Sequence, residues 1–237
     1  MTNSQRPSLL IVTPAYNEAA SLGKVVASIK KFKGESELHI RHVVLNDGSK
    51  DNSSELLNEL NVEHVNLASN IGIAAIFRLA FQIANKIDVD FLMIFDGDGQ
   101  HDSGEIQKLL NERNSADVII GARARSDYKM SKVRRTGQRI FSVLINRKFG
   151  VHLNDPTSGM RLFSKKSFQV INETDELDSF LDDTVMANVL FLQHGLKIRE
   201  IEIRMLNRQH GEPSSQGLKM ASEYLSLLLR LMLMRKL

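Results

Sequence analysis

Three carboxylates, a carboxamide and an imidazole fall within seven residues at Asp96-Gly97-Asp98-Gly99-Gln100-His101-Asp102. Asp96 and Asp98, separated by one glycine, can turn oxygens onto a single hard cation, and such a cation in turn holds phosphates. The plainer account is an acidic turn that caps the next helix through Asp102 or Ser103. A cap uses one acceptor, whereas this cluster offers three aspartates, a glutamine and a histidine, so metal-assisted phosphate chemistry is the stronger reading. For His101, direct ligation and support of a ligating neighbour are both open. The other histidines show no paired spacing such as HExxH, and with no cysteine any metal must be held by oxygen or imidazole.

The cluster follows Phe91-Leu92-Met93-Ile94-Phe95, a continuous apolar run bounded by turn residues, as a buried strand of parallel type would be. Carboxylates just past its carboxyl end lie where open α/β sheets bind ligands. Other apolar runs repeat the arrangement: Leu9–Val12, His39–Leu45, Val62–Leu67 and Val118–Ile120 read as strands. Between them, Leu22, Val25, Val26 and Ile29 stripe one helix, and Ile73, Ile76, Phe77, Ala80, Phe81 and Ala84 another. Asn52 with Glu55 resembles a capping box, and a further helix is expected from about Gly104 to Arg113. Alternating strands and helices predict an α/β fold with a mostly parallel sheet and right-handed crossovers. The loops at 14–18, 46–51, 70–72 and 96–102 should then converge on one sheet edge. There Asp47, Glu18 and Asn17 could accept hydrogen bonds from a base or ribose, with Pro14 or Tyr16 flanking the ring.

Past Gly121 the pattern changes. Ala122 to Arg135 is basic, with a helix expected to continue to Phe149; Asp155-Pro156-Thr157-Ser158-Gly159 reads as a turn before a Met160–Phe163 strand. A helix over about Asp183–His194, a strand over Ile198–Ile203 and a polar loop over Arg208–Gly217 follow. No repeat or linker marks a boundary, so residues 1–217 are expected to form one catalytic domain. Residues 218–237 are expected to form a hydrophobic C-terminal helix, with Tyr224 to Leu237 apolar on nearly every face and ending Arg235-Lys236. Such a helix is buried, paired with a partner, or set into an anionic membrane surface.

With 237 residues the chain can bury a full core, and 42% hydrophobic with 25% charged residues is ordinary for a globular protein. The net charge of +3 suits phosphate-rich or anionic-membrane partners. No run approaches bilayer-spanning length, and Met1–Ser8 lacks the apolar core of a signal peptide. Neither GxGxxG after the first strand nor GxxxxGK[ST] is present, which argues against dinucleotide oxidoreductases and P-loop NTPases. Nucleic-acid binding by the basic 123–148 stretch is disfavoured, because only Tyr128 and Phe141 offer stacking faces there.

Seven segments, in order and spacing, resemble the serial motifs of family-two glycosyltransferases with the GT-A (Rossmann-like) nucleotide-diphospho-sugar transferase fold. They are Pro14-Ala15-Tyr16-Asn17-Glu18, Leu45-Asn46-Asp47-Gly48-Ser49-Lys50-Asp51, Asn70-Ile71-Gly72, Asp96 to His101, Gly121-Ala122-Arg123, Asp155 to Arg161, and Arg208 to Ser214. Within that family the Gln and His after the second Asp most resemble the polyprenyl- and dolichyl-phosphate sugar transferases. The resemblance implies that Pro14, Tyr16, Glu18 and Asp47 line the nucleoside pocket, and that Asp96 touches the ribose or sugar. It implies too that Asp98 and Gln100 bind Mg²⁺ or Mn²⁺ bridging the donor diphosphate, which Arg208 and Ser214 or Ser215 clamp. Arg123, Arg134 and Arg135 would grip an acceptor phosphate, whose oxygen is already anionic and needs no base. Were the acceptor a glycan hydroxyl, Asp182 and Asp183 stand where the family's base motif falls, its usual Glu-Asp reading Asp-Asp here, and Asp155 is a third acid. Both acids also suit a plain helix N-terminus. Ile73 stands where the family often has a basic or glycine residue. The expected partners are a nucleotide-diphosphate sugar, a polyprenyl phosphate or glycan acceptor, a membrane partner protein and a second copy of the chain, with no nucleic acid. The expected location is the inner face of the cell membrane, held peripherally.

Overall fold

The computed structural model describes residues 6–124, 132–173 and 184–206, and Leu229, without the side chains of 132–134 and 184. Asp182, Asp183, Arg208, Ser214, Ser215 and the helix expected over 218–237 lie outside the described residues, as does the side chain of Arg134. The strands are β1 (Ser8–Ala15), β2 (His39–Asn46), β3 (Glu63–Asn66), β4 (Phe91–Ile94), β5 (Val118–Arg123), β6 (Arg161–Ser164) and β7 (Ile198–Ile203). The helices are α1 (Ala19–Glu35), α2 (Ser53–Glu59), α3 (Ile73–Lys86), α4 (Ile106–Asn111), α5 (Lys132–Phe149), α6 (Lys165–Glu173) and α7 (Thr184–Gln193).

The strands form one sheet in the order β3-β2-β1-β4-β6-β5-β7. β1 runs parallel to β2 and β4, β2 to β3, and β5 to β7. β6 is inserted antiparallel between β4 and β5, pairing Arg161 with Ile94 and with Ile120. Helices cover both faces, so the central strands carry apolar residues on both sides. Leu10, Val12, Leu92 and Ile94 join the α3, α6 and α7 layer, while Leu9, Ile11, Met93 and Phe95 join the α1 and α4 layer. This is the period-two alternation of a strand applied to a doubly covered sheet. Phe81 anchors the first layer edge-on to Phe163, ring centroids 5.0 Å apart. Truncating that ring would cost about 3–5 kcal/mol.

The helix stripes fall as the spacing predicts: Leu22, Val25, Val26 and Ile29 of α1 are buried, and so are Ile76, Phe77, Ala80, Phe81 and Ala84 of α3. Ile73, at the solvent-facing start of α3, is 48% exposed. Two local expectations are corrected. Asn52 makes no side-chain cap to α2; Asp51 does the work instead, its Oδ1 accepting from Ser53 N at 3.1 Å. The helix expected over 104–113 is a 3₁₀ turn over Ser103–Glu105 followed by α4, opened by Asp102, whose Oδ1 accepts from Gly104 N at 2.9 Å. One of the three aspartates in the acidic cluster is therefore a cap, leaving Asp96 and Asp98 for other work. Among the described residues no helix is long and apolar enough to cross a membrane.

Candidate active site

Parallel pairing in register (Ala15 with Asn46, Val12 with Ile94) brings the carboxyl ends of β1, β2 and β4 to one edge. The loops leaving that edge are bolted to one another. Asn17 takes a left-handed backbone, φ 56°, a conformation Asn tolerates because its short side chain bonds locally. Its N–H donates to Ser49 Oγ at 2.9 Å and its Oδ1 accepts from Lys50 N at 2.8 Å. Asp51 Oδ2 accepts from Ala19 N at 3.1 Å. Pro14 is half-buried and Tyr16 is 42% exposed, so a planar ring can approach both. Glu18 accepts from Ser21 Oγ at 3.1 Å, and Ser21 also donates to the Gly97 carbonyl at 2.7 Å, tying this pocket to the acidic cluster.

Asp47 is buried, and its two oxygens are occupied. Oδ1 accepts from Ile71 N at 2.7 Å, and Oδ2 accepts from Gly72 N at 3.0 Å and Asn70 Nδ2 at 2.9 Å. In this conformation it holds the 70–72 loop against the end of β2 and shapes the pocket from beneath. Gly48 makes that approach workable. Its φ is +64°, and a Cβ there would lie 2.4 Å from the Ser69 carbonyl carbon, inside any van der Waals contact.

Beyond β4, the Asp96 side chain is 32% exposed while His101, at 2%, is buried behind it. His101 Nε2 lies 3.2 Å from Asp96 Oδ2, and its ring packs on Phe95 with centroids 5.6 Å apart. Burial alone would push the Asp96 carboxyl up; the hydrogen bond and charge of His101, with Arg123 and Arg161, hold it below the ordinary carboxylate range. Asp98 is half-buried, and its Oδ1 accepts from Gln100 N at 3.0 Å, closing the turn. The segment after β7 fastens this turn: Gln100 O accepts from Leu206 N at 2.8 Å, and His101 bridges to Met205.

The antiparallel β6 delivers the 155–159 turn to the same place. Gly159 sits against Asp96: a Cβ on it would lie 2.1 Å from Asp96 Oδ2. Arg161, fully buried, stretches beneath the turn and donates to the carbonyls of Ser158 (2.8 Å) and Pro156 (2.8 Å) and to Asn188 Oδ1 (2.6 Å). Neither Gly159 nor Arg161 stands out locally. The only sequence signal was their place in the Asp155-to-Arg161 motif.

Arg123, at the end of β5, was expected to grip a phosphate directly. Its guanidinium is instead forked onto Asp155, Nε to Oδ2 and Nη2 to Oδ1 both at 2.6 Å, with the two side chains 7% and 3% exposed. Burial pushes the Asp155 carboxyl up, but Arg123 outweighs it and holds it below the ordinary range, which makes Asp155 a weak base. Beside this pair opens a cavity of about 600 Å³. Arg135 and Arg139 of α5 form one wall and Glu200 and Glu202 of β7 another.

Among the described residues no group of three or more His, Asp or Glu side chains is placed to enclose a metal. Two carboxylates on one open turn, backed by a buried histidine and a glycine that leaves room for Asp96, nevertheless suit a small hard cation. Mg²⁺-like ions use one or two protein carboxylates and complete their shell with water and substrate phosphates. The donor set fits.

A sheet edge rich in oxygen ligands, a carboxylate turn past β4 and an arginine-walled cavity sit on one seven-stranded sheet, and solved GT-A glycosyltransferases superpose on this fold. A mycobacterial structure, glucosyl-3-phosphoglycerate synthase from Mycobacterium tuberculosis solved with Mn²⁺, UDP and glucosyl-3-phosphoglycerate, superposes with a TM-score of 0.67 at 15% identity, covering 96% of this chain and 79% of that one. Mannosyl-3-phosphoglycerate synthase from Rubrobacter xylanophilus superposes at 0.64 with 14% identity, covering 95% and 72%. The Glycosyl transferase family 2 profile matches residues 10–171, and the chain belongs to that family; it is a glycosyltransferase. It is similar to the UDP-N-acetylglucosamine–dolichyl-phosphate N-acetylglucosaminyltransferase of Methanococcus voltae, 22% identical over 85% of this chain and 87% of that enzyme. It is also similar to the undecaprenyl-phosphate 4-deoxy-4-formamido-L-arabinose transferase of Proteus mirabilis, 26% identical over 89% of this chain but only 63% of that one.

Proposed function

We propose that the protein transfers a sugar from a nucleotide-diphosphate donor to a polyprenyl phosphate, with inversion at the anomeric carbon. The observation that carries this reading is the cavity beside the donor edge, whose α5 wall presents Arg135 and Arg139, while of its described acids Asp155 is locked to Arg123, Glu200 is bound to backbone amides and Glu202 is exposed. Such a wall suits an anionic nucleophile, which needs charge neutralisation and no general base. The names of the relatives from M. voltae and P. mirabilis, both acting on lipid phosphates, support the same acceptor class.

Pro14, Tyr16 and Glu18 would receive the nucleoside, with Asp47 supporting the pocket through the 70–72 loop. Asp96 would contact the ribose or sugar. Asp98 and Gln100 would hold Mg²⁺ or Mn²⁺; Mn²⁺ accompanies UDP in the mycobacterial structure. The cation would supply Lewis-acid stabilisation of the departing diphosphate, and Arg208 with Ser214 or Ser215 would clamp that group. Arg134 and Arg135 would hold the acceptor phosphate, with Arg123, oriented by Asp155, at the cavity's back. In the displacement a phosphate oxygen forms the new bond to the anomeric carbon as the nucleotide diphosphate leaves.

We also place the protein peripherally on the inner membrane face. The outward stripe of α5 carries exposed Arg135, Arg139 and Arg147 around Ile140 and Val143, which are 40% and 61% exposed, and the helix has no acidic residue. Such a surface suits anionic lipid. The division into a 1–217 catalytic domain and a 218–237 membrane- or partner-facing helix belongs to this proposal.

A screen of UDP-, GDP- and dTDP-sugars with Mg²⁺ or Mn²⁺ against a short polyprenyl phosphate, scored by nucleotide release, tests it. Release only with saccharide acceptors, abolished by Asp182→Asn or Asp183→Asn and indifferent to Arg135→Ala, would establish hydroxyl transfer instead.

A further inference from the structure

Glu200 belongs to no recognised motif. It sits in the middle of β7, whose Ile-Arg-Glu-Ile-Glu-Ile sequence reads as a half-exposed strand. Its carboxylate is nevertheless fully engaged: Oε2 accepts from Asn154 N at 2.6 Å and Oε1 from Asp155 N at 2.7 Å. Two short, charge-assisted bonds to consecutive amides fix that stretch of backbone in place and direction. The next link is the Asp155 carboxylate, which takes the Arg123 fork at 2.6 Å twice and also accepts from the Arg123 backbone N–H at 3.0 Å. Thr157 Oγ1 adds an acceptor for Arg123 Nη2 at 2.6 Å and donates to Asp155 Oδ1 at 3.1 Å.

We propose that Glu200 is a positioning residue for the acceptor cavity, fixing the Asn154–Asp155 backbone so that Asp155 presents the Arg123 guanidinium at the cavity wall. Its placement supports this: Glu200, Asp155 and Arg123 all line the cavity that Arg135 and Arg139 face. The chemistry asks for a carboxylate specifically. Two adjacent donors converge on two acceptor oxygens, a match a glutamine side chain cannot make, since its NH₂ would meet one amide donor to donor. Burial pushes the Glu200 carboxyl up while the two amides oppose the shift, so the position costs desolvation that a purely apolar strand residue would avoid. The inference rests on reading the cavity as the acceptor site.

The test uses the full chain with Glu200→Gln, Asp155→Asn and the double variant. Hydrogen exchange at the amides of Asn154 and Asp155 should quicken in Glu200→Gln. Acceptor KM, measured with a short polyprenyl phosphate, should rise about tenfold with donor KM within about twofold of wild type. The double variant should be no worse than Asp155→Asn alone, because the two residues act in series. Unchanged exchange, equal shifts in both KM values, or additive losses in the double variant would overturn the proposal. Should Glu200→Gln not accumulate folded, Glu200→Asp, one methylene short of spanning both amides, is read the same way. If the wild type transfers to a saccharide and not to the lipid phosphate, the proposed function fails on its own. The Glu200 inference is then decided by exchange and by the saccharide KM.

Discussion

Substituting Gly159 by Ala isolates what one methyl group does to the proposed donor site. Gly159 does not use a left-handed backbone, so alanine is free to adopt its φ and ψ, and the effect is confined to the new Cβ. That atom would stand 2.1 Å from Asp96 Oδ2, 2.9 Å from its Cγ and 3.0 Å from Oδ1. The carboxylate must retreat by about 1 Å to make room, and a displacement of that size at a reacting centre costs on the order of 10²-fold in rate. That is about 2.7 kcal/mol on the barrier. The retreat also breaks the 3.2 Å contact with His101, and overpacking of this kind costs about 1–3 kcal/mol of stability. Nucleotide release under saturating donor, paired with a thermal melt, separates the two effects. Gly23→Ala is the control: its Cβ meets nothing within 4 Å in the interior of α1, and it should stabilise by about 0.5–1 kcal/mol with full activity. Wild-type turnover and an unmoved melt in Gly159→Ala would refute both the placement of the carboxylate and its role at the donor.

His42, 9% exposed and 2.9 Å from Thr13 Oγ1, is held at a pKa of about 4 by burial and by Lys33. Its folded value lies below the unfolded 6.5, so the unfolded chain takes up the proton first. Stability is therefore full above about pH 6.5 and falls by about 3 kcal/mol as pH drops towards 4. Denaturant melts of His42→Gln should lose that part of the pH dependence, and an unchanged slope would exclude His42 as its source. Asp155→Asn strips the partner from a buried guanidinium and should cost about 3–5 kcal/mol in urea unfolding; a change under 1 kcal/mol would mean the pair is solvated. Asp98→Ala should keep the melting temperature while losing Mn²⁺ uptake measured by calorimetry and all metal-stimulated turnover. Retained Mn²⁺ binding would move the cation site elsewhere. Arg139→Ala should raise acceptor KM and leave donor KM alone; a donor effect would reassign the arginine wall to the diphosphate.

Much of the fold was legible because it is carried by local periodicity. The Phe91–Phe95 run, the stripes of α1 and α3, and polar loops after successive strands each announce themselves within a dozen residues, and together they imply one sheet edge rich in oxygen ligands. The proposed donor half of the site, Pro14 to Glu18 with Asp96 to His101, follows from that edge alone. Short-range caps were less secure: Asp51 rather than Asn52 satisfies the start of α2, because neighbouring polar residues compete for the same amides and only backbone geometry chooses between them.

The proposed acceptor half depended on the tertiary structure. β6 enters antiparallel between β4 and β5, and no local signal specifies that slot, since a short apolar strand pairs in either direction. Through that insertion Arg161 comes to lie fully buried and Gly159 comes to face Asp96. Asp47, Asp155 and Arg123 were all legible as charged residues near the site, yet sequence could not say that each is already spent on a partner. Charge and spacing are properties of the chain, whereas which donor meets which acceptor is set by contacts between residues 24 to 76 positions apart. Glu200 shows the difference most plainly: in the sequence it is one acid on an alternating strand, and only the folded sheet brings the Asn154 and Asp155 amides to its two oxygens.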